Sequence, residues 1–249
     1  MEEQTVQKKK SNVGLIIAFI IILLISVVGS SFGGYLFGKA DGEKNIKTQE
    51  TETVDLKEAD VKVLMDRIDT MNNNIARLYP ISDVKTIPNQ SLLSIALSLN
   101  FTSADEVEKT IRSVIGDNVA VRHEDYLCNN DHYALMKYSN GWYSYNNDHP
   151  GHGGGGGYTA TAFFKSATLK GDTLVIDTNL LYDYNGDTEG PNESYYDSMG
   201  ENKKEVLHDI ERDNIKSEYE KIKDTLPTTT FIFKRSELGG YNLESVVIK

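Results

Sequence analysis

No charged residue stands between Lys10 and Lys39, and this gap constrains the chain more than any other feature. Val13 to Gly38 fill it, with Leu15, Ile16, Ile17, Phe19, Ile20, Ile21, Ile22, Leu23, Leu24 and Ile25 at its centre. A helix of about 20 apolar residues crosses a hydrocarbon core of roughly 30 Å. The run therefore predicts a transmembrane helix over 13–38, with a short tail over 1–12. Lys8, Lys9 and Lys10 directly precede it, and positive charge near a segment's end stays cytoplasmic. A single-pass signal anchor follows, with the N-terminus inside and the C-terminal bulk outside the cell membrane. The alternative is a cleaved signal peptide, whose apolar region is about 7 to 15 residues and ends in small residues. Val28, Gly29, Ser30 and Ser31 offer such a site, but Tyr35, Leu36 and Phe37 prolong the run beyond it. No Cys stands directly after the run, which excludes a lipid-modified lipoprotein.

Gly29 and Gly33, then Gly34 and Gly38, stand four apart. Small residues at that spacing let helix backbones approach closely and suit a homodimer in the membrane. The plainer reading is that Gly is simply common in membrane helices.

The net charge of −11 bears on partners. The tail before Val13 and Lys39 contribute +1 each, so residues 40 to 249 carry −13. A domain this acidic is not expected to bind nucleic acid or anionic lipid heads. With one Cys in the chain, no intramolecular disulfide framework exists.

Residues 39–57 read as a polar linker. From Val61, apolar residues recur at 61, 64, 68, 71, 75 and 78, an a/d seam of about two and a half heptads. An amphipathic stalk helix is predicted over 58–82. It forms a coiled coil with a second chain or, more commonly for so short a seam, packs against its own domain. The extracytoplasmic domain then occupies 83–249. Leu92 to Leu99 predict a buried helix. Ser103 and Glu106 have capping-box spacing before Val107, Ile111, Val114 and Ile115, with Gly116 as the stop. Val119 to Val121 read as a short strand.

Alternation follows. Asn140-Gly141 is a strong hairpin signal between 132–139 and 142–147. A longer hairpin is predicted around Lys170-Gly171-Asp172, and a last one around Gly239-Gly240. Residues 203–224 read as a helix with Leu207, Ile210, Ile215, Tyr219 and Ile222 inward.

Helices followed by a strand meander predict an α+β fold, with helices packed on a curved antiparallel sheet. This layout resembles the NTF2-like or cystatin-like roll, including single-pass members in bacterial secretion and conjugation machines. The run His123-Glu124-Asp125 to Cys128, with His149-Pro150-Gly151-His152, resembles uncharacterised single-pass surface proteins of low-GC Gram-positive bacteria. That resemblance implies a place at the cell surface and no chemistry.

Candidate chemistry centres on one hairpin. A two-residue Asn140-Gly141 turn pairs residues whose numbers sum to 281, which sets His132 opposite His149 and brings Cys128 and His152 near the same mouth. Cys128, His132, His149 and His152 suit tetrahedral zinc, although their spacing matches no zinc-finger pattern. The alternative is loop histidines bonded to backbone carbonyls and a buried Cys. A thiol enzyme on Cys128 is a further reading. It resembles a sortase in its anchor, outer β-rich domain and single Cys, but lacks the Thr-Leu-x-Thr-Cys strand end. The glycine run from Gly153 to Gly157 lacks the Lys-Ser/Thr of a phosphate loop. Asp183, Asn185, Asp187 and Glu189 are spaced like a calcium loop, yet Thr188 and Ser194 replace its required Gly and Glu. Calcium is thus the weaker metal expectation, and 183–213 read mostly as a solvated acidic loop and helix face. The main expectation is a membrane-anchored, non-enzymatic protein that binds or scaffolds an unknown cell-envelope partner.

Overall fold

The protein was analysed as a computed structural model, which describes residues 51–97, 101–127, 133–149, 158–184, 192–199 and 202–249. The apolar run over 13–38 lies outside them. Among the described residues, no helix is long and apolar enough to cross a membrane.

Helix α1 spans Ala59–Asn74 and carries the seam. Val61, Leu64, Ile68 and Met71 are buried along it, followed by Ile75, all within one core with the sheet. The expected stalk is therefore an internal helix of the domain. Its apolar face is matched by the domain's own strands rather than by a second chain. Helices α2 (Asn89–Ala96) and α3 (Ala104–Val114) follow. The predicted capping box forms in full: Ser103 Oγ accepts from the Glu106 amide, and the Glu106 side chain accepts from the Ser103 amide. Two backbone donors of the first turn are satisfied in this way.

Seven strands build the main antiparallel sheet. Its path runs β1 (Glu52–Val54), β6 (Tyr158–Lys170), β7 (Thr173–Tyr184), β10 (Thr229–Arg235), β11 (Tyr241–Ile248). Strand β8 (Asn192–Tyr196) pairs with β7 and with β9 (Glu205–Glu211). A bulge at Lys165, between the pairs of Phe164 and Ser166, bends β6. The predicted hairpins around Gly171 and Gly239-Gly240 both form. A second sheet of four strands runs β2 (Thr102–Ser103), β5 (Trp142–Tyr145), β4 (Ala134–Ser139), β3 (Tyr126–Leu127).

Strand β7 is buried on both faces. Leu174, Ile176, Leu180 and Tyr182 join the main core with α1. Leu181 faces a smaller core of Tyr195, Leu207, Tyr219 and Leu226. Asn179 joins this second face: its amide donates to the Pro227 carbonyl at 2.8 Å, and its carbonyl accepts from Tyr219 Oη at 3.1 Å.

Three local expectations are corrected. The helix expected over 203–224 is strand β9 up to Glu211, and only Ile215–Ile222 form helix α4. Helical spacing is clean only from Ile215 through Tyr219 to Ile222. Leu207 instead pairs with Tyr195, and that cross-strand pairing decides the conformation. The linker expected over 39–57 ends in β1, whose Thr53 and Val54 pair with Thr168 and Ala167 and complete a sheet edge. Val119 and Val121 pack against the core without forming a strand.

Ile68 is fully buried at the centre of the α1 seam. Ile68→Ala is expected to cost about 2 to 5 kcal/mol, measured by denaturant unfolding with the oligomeric state unchanged. An unchanged midpoint would show the seam to be free of the core.

Candidate functional site

The β4–β5 hairpin takes the predicted register. Asn140 and Gly141 both have positive φ, and Ser139 pairs with Trp142, Lys137 with Ser144 and Met136 with Tyr145. The Asn146 amide donates to the Leu135 carbonyl at 3.0 Å, continuing the sum of 281. There the chain turns, because the His149 amide donates back to the Asn146 carbonyl at 2.9 Å. The Asn146 side chain also donates to the Ala134 carbonyl at 2.7 Å. His149 is thus a turn residue, 7 % exposed, beyond the last ladder bond. Cys128, His132 and His152 lie outside the described residues. Among the described residues, no group of three or more His, Cys, Asp and Glu is placed to hold a metal.

His123, at the head of the His-Glu-Asp run, takes a different role. Its Nδ1 lies 3.0 Å from Tyr143 Oη and its Nε2 3.1 Å from Glu108 Oε1. Tyr143 is fully buried, and burial pushes its phenol up to about 12. Through His123, this chain of groups ties α3 to β5.

One acid of the candidate calcium run, Asp183, falls within the described residues, and Glu193 of β8 acts on it electrostatically. Asp183 is buried in β7 and accepts from Thr159 Oγ1; burial raises its carboxyl above the ordinary range despite that bond. Glu193 pairs with Arg212 and accepts from Tyr195 Oη at 2.8 Å, and the Arg212 hydrogen bond holds it below that range. Both carboxylates are occupied by protein partners. Asn185, Asp187 and Glu189 lie outside the described residues.

A concavity lies elsewhere. Helix α1, the end of α3 and the β10–β11 turn enclose about 570 Å³. That volume falls in the range of about 300 to 1,000 Å³ typical of small-molecule sites. Arg67 forms its wall. Its Nε donates to the Val114 carbonyl at 2.7 Å and its Nη1 to the Tyr241 carbonyl at 2.5 Å. The guanidinium carbon lies 5.7 Å from the Phe233 ring centre. Nη2 is buried and has no acceptor among the described residues. Burial lowers the guanidinium to about 10, opposed by the charge of Asp117, so it remains cationic at neutral pH.

The adjoining wall is fixed by close packing. Gly116, at φ 127°, ends α3 where any Cβ would collide with the side chain of Asn242. Asn242 Oδ1 accepts from the Asp117 amide at 2.9 Å, which holds this wall to β11. Arg235 donates to Tyr241 Oη at 3.0 Å across the rim. Three arginines, at 67, 112 and 235, and three aspartates, at 60, 66 and 117, line the cavity, so its formal charge is zero.

Sequence reasoning passed over this site. Arg67 reads as a residue on the polar flank of an amphipathic helix, and Gly239-Gly240 as a hairpin turn. The available signal was Arg67 next to the core position Ile68, but its partners are backbone carbonyls far along the chain. No family model, no curated protein and no solved structure matches this chain.

Arg67→Met removes both charge-assisted bonds to the Val114 and Tyr241 carbonyls. Such bonds contribute about 1.5 to 3 kcal/mol each. Chemical denaturation is expected to show a loss of at least about 2 kcal/mol; a loss below about 0.5 kcal/mol would show that the clamp is not structural.

Proposed function

We propose that this chain is a single-pass membrane protein whose outer domain is a non-enzymatic binding module, with the cavity beside Arg67 as its binding site. The observation that carries the reading is the cavity of about 570 Å³ lined by three arginines and three aspartates. Charged groups of both signs around one concavity offer a polar ligand donors and acceptors. The uncharged run over 13–38 and Lys8 to Lys10 before it support the anchor and its orientation. Helices on a curled antiparallel sheet support placing the domain among NTF2-like or cystatin-like rolls, whose concave elements suit ligand binding.

Two measurements test this. An impermeant protease on intact cells is expected to remove residues after the anchor; a protected domain with an accessible N-terminus would reverse the orientation. Hydrogen exchange on the full-length protein, with a mixture of small acidic, basic and zwitterionic fragments, is expected to show protection over 60–70 and 235–242. Unchanged exchange there would remove the cavity as a site.

A second reading is zinc at the β4–β5 hairpin mouth through Cys128, His132, His149 and His152. The observed Asn140-Gly141 register supports it as far as Leu135 and Asn146. Metal analysis is expected to give one zinc per chain on that reading, lost in Cys128→Ser. Metal-free protein would leave the hairpin mouth as a polar turn.

A further inference from the structure

The four-stranded sheet has one face in the core and one in solvent. Met136 of β4 and Tyr143 of β5 are buried on the inner face. Their neighbours alternate outward: Lys137 pairs with Ser144 and Ser139 with Trp142, and all four are exposed. Phe101, leading into β2, stacks on Trp142 with ring centres 4.5 Å apart and planes 9° from parallel. Trp142 stays 45 % exposed under that stack, and Phe101 is 66 % exposed. The stack covers one face of each ring, so an exposure this large leaves the other face of Phe101 in solvent. Beside it, Lys137 Nζ lies 3.1 Å from Asp125 Oδ2, an ion pair still open to water.

Stacked rings left in water forgo the gain of burial, and an occupant recovers it. Aromatic side chains bury about 150 to 250 Å² each, so two rings this exposed offer roughly 200 Å². A stable protein partner needs about 800 Å² per side, which makes the occupant small. Nucleic-acid bases stack on such platforms, but beside a basic groove, whereas residues 40 to 249 carry −13. A pyranose with equatorial substituents has the opposite character. Its flat face is made of C–H groups, whose partial positive charge meets the negative face of an aromatic ring. Its rim is made of hydroxyls, which donate and accept as the Ser139 and Ser144 hydroxyls do. We propose that this face binds a neutral, linear oligosaccharide of equatorially linked pyranoses. One sugar lies on Phe101, and its neighbours reach Lys137, Ser139 and Ser144. The surface shares no residue with the cavity beside Arg67.

Trp142 is the only Trp of the chain, so its emission reports on this face alone. The probes are cellotetraose and the tetramer of N-acetylglucosamine, titrated against the full-length protein in a sugar-free detergent. At least one is expected to shift the emission and to reduce its quenching by acrylamide. Phe101→Ala, at an exposed position that keeps the reporter, is expected to weaken that binding at least tenfold. Val63→Ala, in the other cavity, is expected to leave it unchanged. Emission unaffected by both sugars overturns the proposal, as does equal binding by Phe101→Ala. So does a shift that follows protein concentration without sugar, which marks a second copy as the occupant. A shift with phosphatidylcholine vesicles and with neither sugar overturns it too, and marks a membrane.

Discussion

Burial of the α1 seam is the constraint on which the rest of the domain depends. Val61, Leu64, Ile68, Met71 and Ile75 place five large side chains in the curl of the sheet, against β6 and α3. Each fully buried aliphatic side chain contributes about 1.5 to 3 kcal/mol. A helix of this length is marginal alone, so its apolar stripe both requires the sheet and fills it. The bulge in β6 and the double burial of β7 follow from the same demand. A sheet that must wrap one helix and cover a second small core behind it has to bend.

The cavity is a by-product of that packing where it ends. At the edge of the seam the helix turns from apolar to polar within one residue, from Ile68 to Arg67. A guanidinium at that edge is held by two backbone carbonyls from α3 and β11, which spend two of its donor directions on structure. Among the described residues, Asp183 of the candidate calcium run meets a different fate. Like His123 and Glu193, it is taken up by neighbouring side chains.

Much of the fold was legible because local chemistry and tertiary structure agree. The Asn140-Gly141 turn, the Ser103–Glu106 box and the a/d seam each carry a geometry that neighbouring residues alone dictate. Residues 203–211 depart from the expected helix because the spacing of three between Leu207 and Ile210 fits a helix, whereas in β9 a register shift and the positive φ of Asp209 let both reach the smaller core, and the choice fell to pairing with β8. Strand β1 was hidden because a three-residue edge strand is stabilised by its partner β6 rather than by its own composition. The site was the least legible part. Its key contacts join residue 67 to residues 114 and 241, and no local pattern encodes backbone carbonyls as partners for a side chain.

The central claim is that the cavity between α1, α3 and the β10–β11 turn is a ligand site. The most direct measurement is a crystal structure of the protein purified without added ligand, read in that cavity. The account predicts connected density, longer than ordered water, between the lining arginines and aspartates. A cavity holding only discrete waters, in crystals soaked with the fragment mixture as well, would contradict it.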